Sequence, residues 1–122
     1  MNFNSLHINR KKFIAENGNK DHVVVEGNNN VILSAPHGVS QVRLGKPKFS
    51  EIGSLTTALF LQEKTNSWLI AKTKNNFDDA NFDINSRYKN TISQIIECPF
   101  IFLPKIILTF PSGLNSTSII SS

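Results

Sequence analysis

His37 and Glu51 are the residues whose types and spacing best suit chemistry. His37 sits in Pro36-His37-Gly38, directly after the apolar run "VILSA", so an imidazole stands where a buried strand should end. Glu51 opens the next periodic segment, with thirteen residues between the two. Open α/β sheets bind ligands beyond the carboxyl ends of their strands, and the helix after a strand starts on that same rim. One imidazole nitrogen and one carboxylate meeting there would suit Zn²⁺. Gly38 would let the chain turn sharply and leave room beside the ring. The plainer alternative is a turn histidine and a glutamate drawn to a helix N-terminus by its dipole.

A second group of oxygens lies in "NNFDDANFD", where Asp78, Asp79, Asn81 and Asp83 share one loop. These side chains could bind a metal, hold a substrate amine, or fix the loop by bonds to its own backbone. The last is the preferred reading, because the spacing is not that of an EF-hand. Arg43, Lys46 and Lys48 form a basic trio between His37 and Glu51. Of these only Arg43 offers a planar fork able to clamp a carboxylate in bidentate fashion.

The elements that must position these groups follow from local pattern. "HVVVEG" and "VILSAP" read as strands, and "GNNN" between them as a turn, which predicts an N-terminal hairpin with "FIAEN" as a possible third strand. "SEIGSLTTALFLQEKT" places Ile52, Leu55, Thr56, Leu59 and Phe60 on one helical face, with Ser50 as N-cap and Glu51 in the first turn. "SWLIAKT" reads as a strand and "INSRYKNTISQII" as a second helix capped by Asn85 or Ser86. Strand, helix, strand implies a parallel pair in a mixed sheet, and so an α/β fold of β-α-β-α order after the hairpin.

The 122 residues suffice for one small domain, and 39% apolar with 18% charged residues is globular. The net charge of +4 is spread out rather than gathered in a stripe, which argues against nucleic acid as partner. One cysteine excludes an internal disulfide framework. No secretory leader or run of about 18 apolar residues is visible, so the expectation is a cytoplasmic chain without a membrane partner. Residues 1–98 read as one α/β unit. Residues 99–122 read as an apolar, then Ser-rich tail, either holding a buried strand "KIILTF" or non-native.

Taken together, "VILSAPHG", then "R.GK.K..E..SLTTAL", then "NNFDDANFDINSRYK" resembles the N-formylglutamate amidohydrolase-like group of zinc hydrolases, over about residues 22–95. The resemblance implies an incomplete version of a metallocarboxypeptidase-like fold. It implies His37 as first zinc ligand and Glu51 as second, with Arg43 and the loop of Asp78, Asp79, Asn81 and Asp83 at the mouth of the site. The implied reaction is hydrolysis of the amide of a small N-acyl amino acid or γ-glutamyl substrate, whose carboxylate Arg43 would meet. The family pattern continues with a strand ending Asp-x-His-Gly, whose His is the third ligand. Here "ECPFIFLPKIILTFPSG" contains no His. His7 lies in a polar leader, and His22 starts a strand expected at the opposite rim from His37. The expectation is an N-terminal portion that holds zinc weakly, is inactive alone, and could self-associate through an uncovered sheet edge. The alternative is a non-catalytic remnant of the same fold that binds a small ligand or a protein.

Overall fold

A helix, not a strand, precedes the first strand. The computed structural model describes residues 3–49, 53–80, 83–97, 105–109 and 117–120. In it α1 spans Phe3–Asn17 and takes in the whole of "FIAEN". The run of apolar residues there is too short to set a period of two, and Lys11, Lys12, Ala15 and Glu16 are good helix formers. Phe13 and Ile14 pack against the core, which anchors the helix.

Among the described residues seven strands follow: β1 (His22–Val25), β2 (Val31–Ala35), β3 (Gln41–Arg43), β4 (Lys46–Lys48), β5 (Trp68–Lys72), β6 (Lys105–Thr109) and β7 (Thr117–Ile120). Helices α2 (Ser54–Thr65) and α3 (Arg87–Ile96) interrupt them. The main sheet runs β1-β5-β2-β6-β7. β2 is parallel to both β5 and β6, whereas β1 is antiparallel to β5 and β7 to β6. The sheet is therefore mixed, and the fold is α/β.

The expected hairpin does not form. β5 lies between β1 and β2 and pairs with both, His22 opposite Lys72 on one side and Ala35 opposite Ala71 on the other. β5 is apolar on both faces, with Leu69, Ile70 and Ala71 fully buried, as suits an interior strand. The Gly27–Asn30 segment turns the chain around β5: the Asn28 N–H donates to the Asn66 carbonyl at 2.9 Å.

Alternation along the strands builds two cores. Ile32 and Ile70 face Tyr88 and Ile95 of α3, whereas Leu33, Ala35, Leu69 and Ala71 face Leu55 and Ala58 of α2. The Tyr88 hydroxyl donates to the Ile70 carbonyl and meets Ser34 Oγ, each at 2.8 Å, tying α3 to two strands. Burial pushes this phenol's pKa well up, so it remains a donor.

Both crossover helices stand where periodicity places them, but their starts differ in legibility. Ser86 caps α3, its side chain accepting from the Lys89 N–H at 3.1 Å. α2 starts later than expected. Its N-cap is Gly53 at φ 90°, a left-handed backbone that cannot be helix interior, and its first residue is Ser54. Ser50 and Glu51 lie outside the described residues. "KIILT" is indeed a strand, parallel to β2, and part of the Ser-rich segment pairs with it as β7. No helix among the described residues is long and apolar enough to cross a membrane.

Candidate functional site

Because β2 and β5 are parallel, Ala35 and Lys72 end on one rim of the sheet, and Pro36-His37-Gly38 and residues 74–80 leave from it. His22 begins β1 on this same rim, opposite Lys72, and not on the far one. The reason is the strand order: an antiparallel β1 brings its first residue to where its parallel neighbours end. The rim thus gathers His37, His22, Lys72, Asp21, Asp78, Asp79 and Arg43.

The loop after His37 contains a small hairpin, β3–β4, closed by Leu44 and Gly45 with φ of 52° and 76°. Two positive φ values in a two-residue turn match the twist of the flanking strands. This hairpin is sewn to the Asp-rich loop. The Val42 N–H donates to the Asp78 carbonyl at 2.9 Å, and the Ala80 N–H donates to Gln41 Oε1 at 2.7 Å.

His37 is 2% exposed, Gln41 1% and Asp79 0%. Gln41 Nε2 lies 2.8 Å from His37 Nδ1. The Ala80 N–H can only donate, so the Gln41 carbonyl faces it and the Gln41 NH₂ faces the ring. Nδ1 therefore accepts, and the neutral imidazole carries its proton on Nε2. That nitrogen lies 3.9 Å from Asp79 Oδ1. Asp79 Oδ2 accepts from Arg43 Nε at 2.9 Å, and the Asp79 N–H donates to Asp83 Oδ2 at 2.8 Å. Asp79 and Asp83 thus hold the loop and the Arg43 side chain, which is 37% exposed. Asn81 and Glu51 lie outside the described residues.

Gly38 has a different task from the one its sequence suggests. A Cβ there would stand 3.0 Å from Leu55 Cβ, so the glycine admits α2 against the turn. Arg10 of α1 adds a hydrogen bond to the Gly38 carbonyl at 2.9 Å.

Next to this group lies an ionic one. Lys72, fully buried, donates to Asp21 Oδ1 at 2.5 Å and to Asp78 Oδ2 at 3.3 Å, and Asp78 Oδ1 stands 3.0 Å from Nζ. Asp21 also accepts from Asn76, and its Oδ2 lies 2.6 Å from His22 Nδ1. The other ring nitrogen of His22 meets Thr91 Oγ1 at 2.6 Å. Burial alone would raise the Asp21 pKa, but the hydrogen bonds from Lys72, His22 and Asn76 outweigh it and hold the carboxyl down at about 2.

A folded-state pKa below the unfolded value of 3.8 gives stability that is present above pH 4 and lost as pH falls toward 2. The expected loss is about 2 kcal/mol over that window. Urea unfolding at pH 5 and pH 2.5 should show Asp21→Asn losing less than the unaltered chain by about this amount. Equal losses would remove Asp21 from the acid response.

Sequence reasoning missed Gln41 and Lys72. The signal for Lys72 was a lysine closing the apolar strand "WLIAK". Gln41 gave none beyond standing four residues after His37. Among the described residues, no three His, Cys, Asp or Glu side chains converge as a metal site. Comparison with protein families, with curated proteins and with solved structures finds no match for this chain.

Proposed function

We propose that the chain is the N-terminal part of a zinc-dependent amidohydrolase of metallocarboxypeptidase-like fold, and that the rim of β2 and β5 is its share of the centre. One observation carries the reading: an imidazole buried at the carboxyl end of a parallel strand, with a buried carboxylate 3.9 Å from its Nε2. The donor set fits zinc in kind, since imidazole and carboxylate are both ordinary ligands. His37 would hold the ion with Glu51, whose place in the set rests on the sequence resemblance. Bound there, zinc would polarise an amide carbonyl and acidify a water.

The chain's own residues do the rest. Asp79 holds Arg43 by Nε, which directs the guanidinium to the rim, where it would meet the carboxylate of a small N-acyl amino acid or γ-glutamyl amide. Asp78 and Asp83 brace the loop that carries Asp79. With two protein ligands the ion is held weakly, and the chain alone is expected to cleave no such amide. A cytoplasmic location belongs to the same proposal.

A second reading, a remnant that binds a small ligand without catalysis, is favoured by the proton on Nε2, which opposes a metal there. Titration with zinc chloride separates them. About one equivalent per chain, at least tenfold weaker in His37→Ala, supports the hydrolase reading. Equal binding by both chains would overturn it.

A further inference from the structure

We propose that Asp21, His22 and Thr91 form a second site, in which Thr91 is the nucleophile for acyl transfer from small carboxylic esters. His22 opens β1 and Thr91 lies in the middle of α3, yet Thr91 Oγ1 stands 2.6 Å from His22 Nε2. The other ring nitrogen, Nδ1, lies 2.6 Å from Asp21 Oδ2. Nucleophile, base and orienting carboxylate thus stand in series, each within hydrogen-bond reach of the next.

Their protons can be assigned. Asp21 also accepts from Lys72 and Asn76, and its carboxyl, held down at about 2, stays ionised at neutral pH. An ionised carboxylate only accepts, so Nδ1 donates to it. In the neutral ring Nε2 then carries the lone pair, and the Thr91 hydroxyl donates to it. The Tyr88 ring meets the imidazole edge-on, with centroids 5.9 Å apart at 74°, so the base is oriented before any ester arrives.

A helical hydroxyl ordinarily turns back on its own helix. Ser93 does so, donating to the Lys89 carbonyl at 3.2 Å, and Thr65 of α2 donates to the Leu61 carbonyl at 2.7 Å. Thr91 instead gives its proton to an imidazole from another element. The His22 side chain is 16% exposed and Thr91 is partly exposed, so a small ester can reach the pair from solvent. Arg87, one turn before Thr91 on the same helical face, is exposed and supplies a donor for the oxyanion.

The Thr91 oxygen adds to the ester carbonyl carbon as Nε2 takes its proton. The tetrahedral oxyanion collapses, the bond to the alcohol oxygen breaks, and Nε2 returns the proton to the leaving alcohol. Thr91 is left acylated. A solvent water, giving its proton to Nε2, then adds to the acyl carbon. The acid leaves, and the Thr91 oxygen recovers a proton from Nε2. Thr91 and His22 are catalytic residues, and Asp21 is a positioning residue.

para-Nitrophenyl acetate tests this, with a chelator present so that metal at His37 contributes nothing. The unaltered chain should release a burst of nitrophenolate, and peptide mapping should find the acetyl group on Thr91. Thr91→Val keeps the shape and removes the hydroxyl, and should react at least about 100-fold more slowly. Thr91→Ser should keep the burst. In Asp21→Asn, Lys72 and Asn76 both donate to the Oδ1 position, so the carbonyl stays there and the NH₂ faces Nδ1. The ring proton should move from Nδ1 to Nε2, read from ¹⁵N–¹H correlation spectra, and acylation of Thr91 should cease. Acetyl groups on lysines with none on Thr91 would overturn the proposal, as would equal rates in the unaltered chain and Thr91→Val. Acylation of Thr91 that survives the proton's move would overturn His22 as its base. Mapping on the unaltered chain decides the matter even where a variant does not fold, and no result depends on zinc at His37.

Discussion

Lys72→Met is expected to cost about 3–5 kcal/mol, the largest single loss in this chain. Methionine keeps the unbranched stem of lysine and its volume, so the packing against β1 and β2 survives. The charge does not. Lys72 is fully buried, and its ammonium stands between Asp21, 10% exposed, and Asp78, 25% exposed. Without it two nearby carboxylates lose the cation between them. Natural domains are stable by about 5–15 kcal/mol, so this loss takes a large share. Urea unfolding at neutral pH measures it. Adding Asp21→Asn to Lys72→Met should recover part of the loss, because one orphaned charge is removed. A loss below about 1 kcal/mol would show that the lysine is not holding this end of the sheet together.

Gly27→Ala comes second, at about 3 kcal/mol, and for a steric reason. A Cβ at Gly27 would lie 2.3 Å from the Ser67 carbonyl carbon, 2.4 Å from the Trp68 nitrogen and 2.5 Å from the Asn66 oxygen. All three are backbone atoms and none can rotate away. The methyl group would have to push the start of β5 from the segment leading to β2, straining the very pairing that places β5 in the sheet. Gly45 is the comparison: a Cβ there meets nothing within 4 Å, and only its φ of 76° opposes a side chain. Gly45→Ala should cost about 1 kcal/mol. In thermal unfolding, Gly27→Ala should lower Tm by roughly 10 °C or more, well beyond Gly45→Ala. Equal shifts for the two would contradict the close approach.

Periodicity made β2, β5, α2 and α3 readable, because burial of one face or both faces is written locally. It could not supply the strand order. "HVVVEG" and "VILSAP" are neighbours in sequence with a good turn between them, and only the parallel pairing of β2 with β5 reveals that they are not neighbours in space. The error about His22 followed from that one. The N-cap of α2 was not legible either, because Gly53 adopts a left-handed backbone that composition does not announce. The polar side of the rim was half legible. His37, Arg43 and Asp79 were singled out, and the structure brings all three together. Their joining through Gln41, and the burial of Lys72, depend on which loops touch, a matter of tertiary packing that no spacing encodes.

The insertion of β5 also governs the order of events as the chain folds. β1 and β2 leave the ribosome some forty residues before β5 is complete, and the turn between them suits a direct pairing. Such a pair would occupy the edges that β5 needs. Reaching the native arrangement then means separating it, so the rate-limiting barrier should lie in admitting the late strand rather than in forming the early ones.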